Sequence, residues 1–234
     1  MLTPTLTVHH LETSRSHRIL WLLEELGVPY TLVTHRRDPV TRLAPPSLKQ
    51  IHPLGKAPVI VHGSEVVAES GAILEYLGDC FGPQAGGELS HLVPVAGTAE
   101  QRQCRFWMHY AEGSLMNWLL MKLVFTAIPK AKMPFFVRPV ARAISQKVQQ
   151  QLIDPNLDTA LTFMEAHLAQ HRWFAGEHLT LADFQMCFVV EAALARTPAN
   201  RPLHPHLSAY LERLRERPAY RRAIDKGGPV IMSA

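Results

Sequence analysis

Apolar positions along the chain change period several times, and those changes mark out its elements. The segment Leu6 to His10 is short, β-rich in character and polar at its end. Ile19, Leu22, Leu23 and Leu26 then recur at helical spacing as far as Gly27. Gly27 suits the left-handed position that closes a helix, Pro29 blocks continuation, and Tyr30 to Thr34 resumes an apolar, β-branched pattern. Strand, helix, strand is the expected order, and a right-handed crossover makes the two strands parallel. Residues 35–55 are rich in Pro, Arg, Lys and His with weak periodicity, which predicts a loop carrying a short, poorly formed helix. Pro58 to His62 and Glu65 to Ala68 flank the pair Gly63-Ser64 and read as an antiparallel hairpin. Ser70 then opens a helix through Ile73, Leu74 and Leu77, so the first 80 residues predict βαβαββα.

From Gly82 to Gly97 the composition shifts to Gly, Pro, Ala and small polar residues, with Pro83, Gly86, Gly87 and Pro94 breaking any regular element. Beyond it helices are expected over 99–127, 135–152, 155–170, 180–195 and 205–216. The expected organisation is an α/β domain over 1–82, a linker over 83–97 and an all-α domain over 98–234. One helix start is unusually well specified. Thr180 and Asp183 can form a capping box, and Leu179 and Phe184 sit where a hydrophobic staple would close.

A hydrophobic content of 47% over 234 residues supplies cores of this size without covalent staples. Cys80, Cys104 and Cys187 are odd in number and widely spaced, with no CxxC pair, which argues against a disulfide framework and for a reducing, cytoplasmic setting. The start, Met1 to Thr7, is polar and Thr-rich rather than cationic and apolar, so no export signal is expected there. No apolar run reaches the roughly 18 residues of a membrane span. The net charge of +4 is unevenly placed: no acid falls between Glu112 and Asp154, whereas Lys122, Lys130, Lys132, Arg138, Arg142 and Lys147 do. The plain reading is a solvated basic face; anion steering or a membrane-surface contact are the alternatives. Nucleic acid is not an expected partner, because the cations are not interleaved with stacking aromatics.

Candidate chemistry concentrates at three places. Ser14, Arg15, Ser16, His17 and Arg18 crowd the first helix start with hydroxyls and positive charge, where backbone N–H groups favour anions. The bland alternative makes Ser16 a simple N-cap. A hydrolase-type serine is disfavoured because GxSxG is absent. Pro53-Leu54-Gly55-Lys56-Ala57-Pro58 precedes the hairpin; Pro58 is tolerated at a strand start, and a cis Ala57-Pro58 bond would turn the chain sharply. Glu69-Ser70 opens the next helix, offering a carboxylate for an amine and a capping hydroxyl for a carboxylate. Metal catalysis is not expected: His9-His10 and His204-Pro205-His206 lack a recognised ligand framework.

Taken together and in this order, these features resemble the cytosolic glutathione S-transferase superfamily over essentially the whole chain. HHLETSRSHRILWLLEELGVPY is similar to the first βαβ of bacterial and fungal members, HPLGKAPVI to the cis-proline segment, ESGAILEYL to the γ-glutamyl-binding helix start and LTLADF to the capping box of the helical domain. YAEGSLM and the segment Phe125 to Asn156 resemble the yeast-type subgroup. The resemblance implies a thioredoxin-like βαβαββα domain followed by an all-helical domain, with glutathione as co-substrate, no metal and a homodimer. It implies serine-type catalysis by Ser14, with Ser16 as rival, matching a Ser-x-x-x-Arg arrangement through Arg18. Ala57, beside Pro58, would pair by its backbone with the cysteinyl unit, Lys56 would lie near the peptide, and Glu69 and Ser70 would hold the γ-glutamyl head. His52 stands where many members have Asn. The first turn holds neither Tyr nor Cys, against the tyrosine-type and cysteine-type chemistries.

The expected reaction is attack of the glutathione thiolate on a small apolar electrophile in a cleft lined by the first helix of the second domain, with Met108, Asn117 and Phe125 as candidate wall. A thiol of pKa about 8.5 must be acidified, and two units cost about 2.7 kcal/mol. A charge-assisted hydrogen bond contributes about 1.5–3 kcal/mol, so Ser14 alone would nearly suffice. A glutathione-dependent hydroperoxide peroxidase and a non-catalytic binding protein are the alternatives, and Cys80 is expected to be structural.

Overall fold

The computed structural model describes residues 5–196 and 203–231; the outer bounds of the two expected domains lie outside them. The first part runs β1 (Leu6–Leu11), α1 (His17–Leu26), β2 (Thr31–His35), a 3₁₀ turn (Pro46–Gln50), β3 (Val59–His62), β4 (Glu65–Ala68) and α2 (Ser70–Phe81). Its sheet has the order β2-β1-β3-β4. β1 runs parallel to β2, with Thr7 opposite Thr31, and antiparallel to β3, which pairs antiparallel with β4. The expected second helix of this part is reduced to the single 3₁₀ turn. Of the turn's residues only Leu48 is buried, too little packing to hold a longer helix.

Gly27 closes α1 at φ 63°, its N–H bonding to the Leu23 carbonyl, the left-handed cap that a side chain would strain. α1 is buried almost all round, from His17 to Glu24, because α2 of its own part and the helices Leu181–Arg196 and Pro218–Gly227 of the second part pack against it. Two 3₁₀ turns, Gly82–Gln84 and Gly87–His91, lead away from α2.

Then follow α3 (Ala99–Tyr110), α4 (Met116–Ala127), α5 (Arg138–Val148), α6 (Asp154–Leu168), α7 (Leu181–Arg196), α8 (Pro205–Glu216) and α9 (Pro218–Gly227). Two π turns follow: Ala111–Leu115 divides the helix expected over 99–127, and Gln149–Ile153 joins α5 to α6 where a break between 152 and 155 is expected. A π turn inserts an extra residue per turn and re-aims the side chains beyond it. Among the described residues no helix is long and apolar enough to cross a membrane.

α7 is the central strut, packing on α1, α2 and α3. Its start departs from the simple capping box. The Asp183 carboxylate accepts from the Thr180 N–H at 3.0 Å, as expected, but also from the Phe174 N–H at 3.0 Å. Thr180 Oγ1 donates to the same carboxylate at 3.4 Å, while the Asp183 N–H goes to the Thr180 carbonyl. Burial pushes the Asp183 carboxyl up to about 7 against these hydrogen bonds. Leu179 and Phe184, the expected staple, are both fully buried.

α9, which periodicity did not reveal, lies along α1 and is held by charge. Glu24 accepts from Arg222 at 2.8 Å and pairs with Lys226, and Glu25 pairs with Arg217. Tyr220 packs edge-on against both His17 and Trp21.

Candidate active site

The turn between β1 and α1 is a closed hydrogen-bond circuit. Thr13 takes φ 46°, which folds the chain back so that Ser14 and Ser16 face the end of β1. The Ser16 hydroxyl lies 2.8 Å from His10 Nδ1 and 2.7 Å from the Ser14 hydroxyl, and accepts from the Leu11 N–H at 3.1 Å. Ser16 stands at the N-terminal position of α1, yet its side chain caps nothing there. The plain cap reading of Ser16 therefore fails, because its oxygen is turned toward the strand.

Proton directions follow from the acceptors. His10 Nε2 lies 2.8 Å from the Gly227 carbonyl at the end of α9, and a carbonyl only accepts, so Nε2 carries the proton. Burial, the largest cause, lowers the pKa of His10 and keeps the ring neutral. Nδ1 is then a lone pair, and Ser16 gives its only proton to it. Ser14 remains with a free choice: it reaches the Leu11 carbonyl at 2.7 Å and Ser16 Oγ at 2.7 Å, and it accepts from the Ser16 N–H at 3.2 Å. Ser14 is 8% exposed and Ser16 0%, so the hydroxyl that donates to a backbone carbonyl is also the one that meets solvent.

Arg18 does not join this circuit. Its fully buried guanidinium donates to Ser70 Oγ at 3.0 Å and to Glu112 at 2.6 Å, and stacks over Phe188 at 5.4 Å. Arg15 donates to the other oxygen of Glu112 at 2.7 Å. Burial lowers the pKa of Arg18, opposed by Glu112. The positive charge expected beside Ser14 is thus largely answered by one carboxylate, and Arg18 serves as a strut from α1 to the start of α2. Glu112 and His10 are the site residues that sequence reasoning missed. Glu112 lies in the first π turn, a feature without periodicity, although it is the last acid before the basic stretch.

The other candidates fall around this turn in the same domain. The Ala57-Pro58 bond is cis, Pro58 is buried, Ala57 half-buried and Lys56 exposed. Glu69 adopts φ 72° and ψ 123°, a conformation costing roughly 1–3 kcal/mol in a residue with a side chain. Strain of this kind persists where the surroundings enforce it, and it places an exposed carboxylate directly before the buried Ser70. Ser70 Oγ accepts from Arg18, which leaves the hydroxyl proton and the first N–H groups of α2 to face an anion.

Met108, Asn117 and Phe125 occupy three different environments. Met108 is buried in the core, the Asn117 amide is spent on the Gly113 carbonyl at 2.9 Å, and Phe125 is half-buried against the core. Cys80 is half-buried and Cys104 and Cys187 are buried, all three unpaired; burial pushes the Cys187 thiol up to about 12.

Two family models match this chain: the glutathione S-transferase N-terminal domain over residues 14–80 and the C-terminal domain over residues 116–218. Glutathione S-transferase 3 of Schizosaccharomyces pombe is 34% identical over 221 residues, spanning 94% of this chain and 87% of the relative. The chain belongs to the glutathione S-transferase family. Glutathione S-transferase 1 of Saccharomyces cerevisiae is 29% identical over 97% of each chain. Among solved structures, a glutathione S-transferase from Actinobacillus pleuropneumoniae superposes with a TM-score of 0.74 at 30% identity, covering 95% of this chain and 93% of that one. A theta-class glutathione S-transferase from Xanthomonas axonopodis pv. citri with glutathione bound gives 0.68 at 25% identity, covering 97% and 100%. The N-terminal family match begins at Ser14 and ends at Cys80, enclosing Ser14, Ser16, Arg18, Lys56, Ala57, Pro58, Glu69 and Ser70 but not His10 or Glu112.

Proposed function

We propose that this transferase ionises bound glutathione through the Ser14 hydroxyl and directs the thiolate at a small apolar electrophile. The observation that carries the reading is the asymmetry of the serine pair: Ser16 faces the lone pair of His10 Nδ1, while Ser14 donates to the neutral Leu11 carbonyl, a bond that a thiolate can replace. Ser14 must give up a neutral hydrogen bond to the Leu11 carbonyl to serve the thiolate, however. A charge-assisted bond of about 1.5–3 kcal/mol then replaces a neutral one of about 0.5–1.5 kcal/mol, a net gain near 1–1.5 kcal/mol. That is about one pKa unit, less than the two expected of Ser14 by itself. The N-terminal end of α1 adds about 0.3–1 kcal/mol, and Arg15 and Arg18 add little while paired to Glu112.

The remaining assignments form one consistent pose. Ala57, preceding Pro58, presents its backbone to the cysteinyl unit, and Lys56 lies beside the peptide. Ser70 donates to the γ-glutamyl carboxylate at the start of α2, and Glu69 receives the ammonium. Met108, Asn117 and Phe125 are retained as positions to probe for the electrophile. The unpaired cysteines support a reducing, cytoplasmic setting. A homodimer is part of the reading, supported by the apolar side chains Phe106, Leu120, Leu123 and Val124 left at the surface of α3 and α4. The boundary between domains is kept at residue 82, after α2, with the linker over 83–97.

The test is an ultraviolet titration of the bound thiol in the wild type and in Ser14→Ala and Ser16→Ala. The expected result is a pKa near 7, about 1.5 units below the free thiol, raised by about one unit in Ser14→Ala. Ser16→Ala should shift it by less than half as much. Binding of glutathione with an unshifted thiol would leave a binding protein rather than a catalyst.

A further inference from the structure

Three residues far apart in sequence converge where the linker meets the helical part. His91 closes the 3₁₀ turn Gly87–His91, Glu100 lies in the first turn of α3, and His178 precedes α7. One imidazole nitrogen from each histidine and one carboxylate oxygen lie within 4.8 Å of one another. The two exposed rings are stacked, centroids 3.7 Å apart and 9° from parallel. The three backbone segments are themselves anchored: the Leu181 N–H donates to the Leu92 carbonyl at 3.1 Å, and Thr98 caps α3 through the Gln101 N–H at 3.1 Å.

A carboxylate in the first turn of a helix is favoured by the helix dipole, and a stacked histidine pair needs no ligand. That account leaves one observation over. Glu100 Oε1 is closed off from solvent and has no hydrogen-bond partner among the described residues, and a carboxylate oxygen of the same residue lies within 4.8 Å of a nitrogen of each imidazole. A buried acceptor without a donor is expensive. A cation shared by all three groups would satisfy it.

We propose that His91, Glu100 and His178 bind one divalent transition-metal ion of the zinc class. Two nitrogens and one carboxylate oxygen suit zinc, nickel or copper, whereas magnesium and calcium require oxygen-rich sets. Three protein ligands leave a fourth position for water, and a cavity of about 490 Å³ bordered by Glu100, His171, Glu177 and His178 gives that water room. Zinc–nitrogen bonds of about 2.0–2.1 Å in a tetrahedron set donors about 3.3 Å apart, so the ligands must contract and the rings must splay from parallel. Both rings are exposed and can turn. The ion would brace the linker against α3 and the segment entering α7. It is independent of the thiol chemistry, since none of the three residues belongs to the Ser14 circuit.

The experiment titrates zinc chloride into chelator-stripped protein at pH 7.5 by calorimetry, with cobalt absorption as the report on geometry. The variants are His91→Ala, His178→Ala, Glu100→Gln and the double His91→Ala/His178→Ala. His204→Ala/His206→Ala serves as control, and far-ultraviolet circular dichroism checks that each variant is folded. One equivalent of zinc is expected, weakened at least tenfold by either single histidine variant and several-fold by Glu100→Gln, and unchanged in the control. Cobalt should give the intense visible bands of a four-coordinate ion in the wild type and not in the double variant. The absence of stoichiometric uptake, or uptake that survives in the folded double variant, overturns the proposal.

Discussion

His17 makes the fold sensitive to acid in a way that can be isolated. It is buried at the start of α1, edge-on to Tyr220 with centroids 5.0 Å apart, and neither ring nitrogen has a hydrogen-bond partner among the described residues. Burial first, and the neighbouring His10 second, push its pKa down from 6.5 to about 3. Above pH 6.5 neither folded nor unfolded chain binds a proton there. Below it the unfolded chain binds one that the folded chain refuses, so stability falls with acidification at about 1.4 kcal/mol per pH unit until pH approaches 3. Between pH 7.5 and 5.0 the interval below 6.5 is about 1.5 units, or about 2 kcal/mol for this residue. His17→Phe keeps a ring against Tyr220 and removes the titration. Urea unfolding followed by tryptophan fluorescence at pH 7.5, 6.5 and 5.0 should show the variant losing about 2 kcal/mol less than the wild type over that span. Burial also lowers the pKa of His9 and His10, but both titrate in either protein and cancel in the difference. Parallel losses, agreeing within about 0.5 kcal/mol, would refute the reasoning and show that the folded protein admits the proton.

Two further predictions concern contacts between the two parts of the chain. Gly227→Ala would place a methyl group 2.5 Å from Leu20 Cδ1 and 3.1 Å from His10 Cε1. It should cost about 1–3 kcal/mol in urea unfolding and also raise the bound thiol pKa, because displacing His10 releases the Ser16 proton that leaves Ser14 free. Glu112→Ala strips the carboxylate from the fully buried Arg18, for an expected loss of about 3 kcal/mol, the low end for a broken buried pair because the Glu112 side chain is 29% exposed. Glutathione KM should rise through Ser70, the bound thiol pKa should fall as Arg15 and Arg18 lose the carboxylate that answers their charge, and Glu112→Gln should recover part of the stability.

The first domain was legible because its signals are local. Gly27 and Pro29 end α1, Gly63-Ser64 makes the hairpin, and alternation within Leu6–His10 and Tyr30–Thr34 sets the strands. The second helix of that domain is the short turn that its weak periodicity predicts, and α9 escaped because it buries only Ala219, Tyr220 and Ala223, too little apolar surface for a periodic signature. Ser14, Glu69 and Ser70 could be named from position and residue type. The roles of Ser16 and Arg18 could not, since both depend on partners supplied by distant segments. Ser16 looks like a cap until His10 and Gly227 fix its proton, and Arg18 looks like a thiolate partner until Glu112 claims it. The His91–Glu100–His178 cluster has no motif at all, its members being joined only when the linker folds beside α7.

The bond from His10 to the Gly227 carbonyl spans 217 positions of the chain. On a ribosome, the turn that orients Ser14 emerges long before its last support is made. The β1–α1 segment must therefore wait through synthesis of the whole helical part with Glu24, Glu25 and His10 lacking the partners that Arg217, Arg222, Lys226 and Gly227 supply. Activity should switch on late and abruptly as a nascent chain lengthens past α9. A fragment ending at α2 would keep the strands yet hold Ser14 in a loose loop.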